Sequence, residues 1–110
     1  MEIKAINYYK KEYADEEDFL VYGEVFIGPN DTASVYEVFN FYVISIKRLY
    51  DGFQNNDSDG VMLNRGWMII KYYNSKLIEK EILSIINKCR KQSDEETYRE
   101  IGAYLIRQDS

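Results

Sequence analysis

Two stretches of the sequence carry enough carboxylates to do chemistry. In "YADEEDF" the acids Asp15, Glu16, Glu17 and Asp18 are contiguous, and in "NNDSDG" Asp57 and Asp59 alternate behind Asn55 and ahead of Gly60. Hard cations such as Ca²⁺ and Mg²⁺ prefer oxygen ligands, so each stretch is a candidate cation site. Neither has the spacing. Contiguous acids in a loop point in different directions, and the first run lacks alternate ligands, a central glycine and a terminal glutamate. With Asn55 as position one of a calcium loop, position twelve is Gly66, where a bidentate glutamate is required. The first run reads as a solvated loop or a charge presented to a basic partner, and the second as a turn.

The remaining catalytic inventory is thin. There is no histidine, which removes a histidine general base, Ser/His/Asp and Cys/His arrangements, and histidine metal ligands. The single cysteine, Cys89, can form neither an internal disulfide nor a thiolate zinc cluster. It falls on the apolar stripe of a helix and reads as a small core residue. The six glycines lack phosphate-loop or dinucleotide spacing. The expectation is a protein that is not an enzyme and needs no cofactor or metal. A different constellation, Tyr22, Glu24, Asn40 and Tyr42, falls on the mixed face of two neighbouring strands. Aromatics beside polar groups there are either cross-strand pairs or contacts for a protein partner. Trp67 reads as core.

Composition narrows the partner. With 14 basic and 19 acidic residues the formal charge is −5, which disfavours nucleic acid and anionic membrane and favours encounter with basic proteins. The basic pairs Lys10-Lys11, Lys47-Arg48 and Arg90-Lys91 are short and separated by acids. At 45% hydrophobic and 15% aromatic, with 11 tyrosines, the chain should fold, and 110 residues suit one domain, 1–110, with one core. No segment approaches the ~20 apolar residues of a membrane span, and the N-terminus lacks a signal-peptide pattern. A soluble, cytoplasmic protein is expected.

The elements that would position these residues follow from periodicity. Ile3 to Tyr9 alternates loosely, as a first strand. Phe19 to Ile27 has period two and ends at Gly28-Pro29-Asn30-Asp31, where the chain should reverse. "VYEVFNFYVIS" is the return strand, and "IKRLYDGF" reads as one or two helical turns stopped by Gly52. "GWMIIKYY", Gly66 to Tyr73, is apolar on both sides and reads as a central strand. Leu77, Ile78, Ile82, Ile85, Ile86 and Cys89 recur at helical spacing behind a cap at Asn74 or Ser75. Ser93 and Glu96 have capping-box spacing for a last helix with Tyr98, Ile101 and Leu105 inward. The predicted fold is α+β: an antiparallel β-sheet of about four strands with two C-terminal α-helices packed on one face.

At "FLVYGEVFIGPN", "VFNFYVISIKRLYDG" and "GWMIIKYYNSKLIEKEI" the sequence resembles the immunity protein 8 family of bacterial polymorphic toxin systems. The strand ending in Ile27-Gly28 fits that pattern. So do Phe39, Val43 and Leu49 in and after the next strand, and the closing helix with Tyr98 and Leu105. The chain departs from it at Ile46, where such sequences often have proline, and at Arg48 and Tyr98, where they often have tryptophan. The resemblance, which covers roughly Ile3 to Ile106, implies a non-enzymatic inhibitor that binds the C-terminal domain of a cognate toxin. Many such toxin domains are nucleases with basic substrate grooves, which an acidic surface can occlude. The candidate toxin-binding residues are then Asp15, Glu16, Glu17 and Asp18, with Tyr22, Glu24, Tyr42, Asp57 and Asp59. The alternative is an acidic adaptor or regulatory module for an endogenous basic protein.

Overall fold

In the computed structural model, which describes residues 1–55 and 63–108, three long strands lead the chain: β1 (Glu2–Asp15), β2 (Asp18–Gly28) and β3 (Glu37–Ser45). They pair antiparallel in sequence order. α1 (Ile46–Asn55) follows β3 directly, then β4 (Trp67–Ile70), α2 (Ser75–Lys88), α3 (Asp94–Ile101) and β5 (Ile106–Arg107). β4 and β5 share the second edge of β3: β4 pairs parallel with Tyr42 to Ser45, and β5 antiparallel with Phe39 and Asn40. The architecture is α+β, with a mixed sheet and two C-terminal helices on one face.

Period-two patterning decides which face of β2 and β3 is covered. Phe19, Val21, Val25 and Ile27 of β2 and Phe39, Phe41 and Val43 of β3 are fully buried, and they form one cluster with Ile78, Ile82, Ile86 and Cys89 of α2 and its C-cap. Tyr98, Ile101 and Leu105 complete it from α3 and the turn after it. Burying each large apolar side chain stabilises by about 1.5–3 kcal/mol, so this layer dominates folding. The helices start where their caps allow. Asn74 accepts from the amides of Lys76 and Leu77, and Ser93 accepts from Glu96 N while its hydroxyl donates to the Glu96 carboxylate. The caps thereby satisfy first-turn amides of both helices.

Three features depart from the sequence reading. β1 carries register shifts between Ile3 and Ala5, Lys10 and Glu12, and Tyr13 and Asp15. Each inserts one residue, so the side chains packed toward the core follow the irregular series Ile3, Ile6, Tyr8. That is why its alternation looks loose. Gly52 does not stop α1, which continues to Asn55; a glycine inside a helix costs about 1 kcal/mol against alanine without ending it. β4 is four residues long and lies at the sheet edge instead of the centre. Met68 and Ile70 pack partly against the core, while Trp67 and Ile69 lie on the other face and border a hollow with Leu49 and Phe53 of α1, where Ile69 is 59% exposed.

Candidate functional site

The sheet face turned away from α2 and α3 is assembled from the alternate residues of each strand. Register sets Tyr9 beside Tyr22, Tyr22 beside Tyr42, and Tyr42 beside Trp67. The four rings form one row across four strands, with centroid separations of 5.7, 5.3 and 5.3 Å. Such spacing is within the favourable range for aromatic pairs, so each ring limits the freedom of its neighbour. Tyr22, Tyr42 and Trp67 are half-buried and Tyr9 is exposed. The next row up the sheet is polar: Asn7, Glu24 and Asn40 stand in cross-strand register.

Glu24 ties the two rows together. The Tyr9 hydroxyl donates to its Oε1 at 3.0 Å. This hydrogen bond holds the Tyr9 hydroxyl above its ordinary pKa, while partial burial and then the Glu24 charge raise that of Tyr22. Both phenols therefore stay protonated donors at neutral pH.

On the opposite side of the aromatic row the face is closed by α1. Ser45, fully buried at the start of that helix, accepts through Oγ from the amides of Arg48 and Phe19, both at 3.1 Å. Arg48 then reaches Asp18 Oδ1 at 2.7 Å and Glu12 at 3.3 Å. Leu49 and Phe53 border a hollow of 170 Å³ with Trp67 and Ile69. α1 covers the Leu20 and Ile44 end of the face and leaves the aromatic row uncovered among the described residues.

The acidic run resolves into separate roles. Asp15 and Asp18 are the last pair of the β1–β2 hairpin, with Glu16 and Glu17 as its two-residue turn. Asp15 Oδ1 accepts from Glu17 N at 2.8 Å, a local turn contact. The hydrogen bond from Arg48 to Asp18 holds that carboxyl below the usual aspartate range, and Lys47 lies 3.9 Å from its other oxygen. Only Glu16 and Glu17 project freely. Tyr22 is four residues from Asp18, about 13 Å along the strand, so the hairpin tip and the aromatic row are distinct places. Asp57 and Asp59 lie outside the described residues.

Tyr22, Glu24 and Tyr42 are thus brought together as expected, along with Asn40. Tyr9 joins them without having been singled out, and Trp67, which the sequence reading placed in the core, joins them too. Tyr9 is displaced from simple alternation by the bulge near Lys4, and Trp67 sits on the α1 side of an edge strand, not in the core. Among the described residues no three His, Cys, Asp or Glu side chains are placed to hold a metal ion, and no helix is long and apolar enough to cross a membrane. A half-exposed aromatic row with one carboxylate is equipped for binding a protein surface.

A family model described as immunity protein 8 matches residues 1–106 of the chain. No curated protein and no solved structure matches it.

Proposed function

The chain belongs to the immunity protein 8 family, and on that premise we propose that it neutralises a cognate bacterial toxin by docking its open sheet face on the toxin's C-terminal domain. The observation that carries this reading is the row Tyr9, Tyr22, Tyr42 and Trp67, registered across four strands on the part of the face that α1 leaves uncovered among the described residues. Tyrosine and tryptophan supply large contact areas with few rotatable bonds, and the sheet beneath them is rigid, so little ordering entropy opposes binding. A strand-borne surface of this kind acts by covering the toxin, and it needs no chemistry of its own. The cytoplasm of the producing cell is where such protection operates.

Charge supports a basic target such as a nuclease groove. The chain carries −5 overall, and Glu16 and Glu17 stand at the hairpin tip with no basic group within ion-pair distance among the described residues. Placed outside the aromatic row, they accelerate encounter more than they add contact energy. Asp15 and Asp18 serve the hairpin and α1 and contribute to binding only through the shape they hold.

The test is co-purification of the tagged protein with the toxin polypeptide encoded beside it, with growth measured when the two are co-expressed. A stable complex and restored growth support the proposal. A toxic polypeptide that is neither bound nor restrained removes it.

A further inference from the structure

We infer that Glu24, Asn40 and the tyrosine rings beside them receive a guanidinium group, an arginine side chain of the protein partner. The inference rests on the reading of the open face as the toxin-binding face and names what that face recognises. Glu24 has one donor, the Tyr9 hydroxyl on Oε1. Among the described residues no lysine or arginine comes within ion-pair distance of it, although five other acids, Glu2, Glu12, Asp18, Glu37 and Glu95, have such partners. Directly across the strand pair, Asn40 Oδ1 is buried and has no donor either. A carboxylate and an adjoining amide that can turn its oxygen outward offer acceptors to an incoming fork of N–H groups.

The neighbours favour a flat cation over a compact one. Tyr22 and Tyr42, with centroids 5.3 Å apart and planes inclined by 57°, border the acceptors on one side. A guanidinium stacks on an aromatic face while donating in its plane, whereas an ammonium uses only its charge. One of the chain's own lysines already uses this ring pair: Lys11 Nζ lies 5.7 Å from the Tyr22 centroid. Lys11 lies in the β1 bulge opposite Leu20 and Val21, whereas Glu24 pairs with Asn7. A concavity of 620 Å³ lined by Tyr8, Tyr9, Lys10, Lys11, Tyr22 and Glu24 gives room for the side chain, with Glu24 as the one carboxylate opposite the two lysines.

The probe is N-acetyl-arginine methylamide, with its lysine and citrulline counterparts, titrated into the isotope-labelled protein. Amide shifts of Tyr22, Glu24, Asn40 and Tyr42 and the fluorescence of Trp67 are read. The arginine compound should perturb these residues saturably, the lysine compound several-fold more weakly, and neutral citrulline not at all. Glu24→Gln should weaken the arginine response about tenfold, the loss of one charge-assisted contact. Equal responses to arginine and citrulline, or an unaltered response in folded Glu24→Gln, overturn the inference. In the toxin complex, binding lost with Tyr42→Ala but kept with Glu24→Gln also overturns it while leaving the face reading in place. Binding kept in both variants removes the face reading as well.

Discussion

Tyr42 stacks on Trp67 across two parallel strands, with ring centroids 5.3 Å apart and planes 27° from parallel. The pair lies where β4 joins the sheet, so one contact serves both the edge of the fold and the centre of the aromatic row. Stability and recognition are therefore separable only by measuring both.

Replacing Tyr42 by alanine should speed dissociation of the toxin by about 30-fold, the loss of one central anchor worth ~2 kcal/mol. Association should change little, because short-range packing acts on the bound state. Surface plasmon resonance gives both rates, and a thermal melt of the free variant establishes that it is folded. An unchanged dissociation rate would take Tyr42 out of the interface.

Reversing Glu16 and Glu17 to lysine should act on the other rate. Association with a basic toxin should slow several-fold at low salt and converge on the wild-type value at high salt, where a Debye length of about 3 Å at 1 M screens exposed charges. Stopped-flow association at two ionic strengths makes the comparison. Equal rates at low salt would make the hairpin tip a turn and nothing more.

The Asp18 and Arg48 pair sets a pH dependence whose sign follows from the lowered carboxyl pKa. A carboxylate held below its unfolded value stabilises the fold above the unfolded pKa of about 3.9 and loses that contribution as pH falls through its folded value. Urea unfolding at pH 7 and at successive points below pH 4 should show wild type losing more stability than Asp18→Asn on acidification. Parallel curves would mean that the pair contributes nothing to folding.

Gly23, like Gly28 at the end of β2, is a position where a side chain has no room. A Cβ at Gly23 would sit 2.1 Å from the Phe41 ring, which reaches across the strand to meet Tyr8 edge-on at 6.3 Å. Gly23→Ala should cost about 1–3 kcal/mol by overpacking, and Phe41→Leu in the same chain should recover part of it. Denaturant midpoints of the single and double variants decide this. A neutral Gly23→Ala would show that Phe41 turns aside freely.

The legible parts of this fold are those where one physical signal acts alone. β2 and β3 have one buried face each, and their period-two pattern placed Phe19, Val21, Phe39 and Phe41 inward and Tyr22, Glu24, Asn40 and Tyr42 on the other side. Caps at Asn74 and Ser93 are short-range chemistry and were equally visible. β1 was harder because bulges break its period, and with it went the position of Tyr9. β4 reads as central because its apolar string does not distinguish Met68 and Ile70, packed against the core, from Ile69, which is left largely exposed at the sheet edge. Trp67 followed it into the wrong layer. The acidic run shows the limit most plainly: four adjacent charges look alike in sequence, yet Arg48, thirty residues away, neutralises Asp18 and leaves Glu16 and Glu17 exposed.

The most direct test of the account compares a half-buried side chain of the open face with an exposed one of the helices by calorimetric titration with the toxin domain. Tyr42→Ser changes the open face, and Leu83→Ser changes an exposed residue of α2, 44% accessible, beyond the sheet. The account predicts a loss of affinity of about tenfold or more for Tyr42→Ser, with Leu83→Ser unchanged. Affinity lost at Leu83 and kept at Tyr42 would contradict it and place the toxin on the helices.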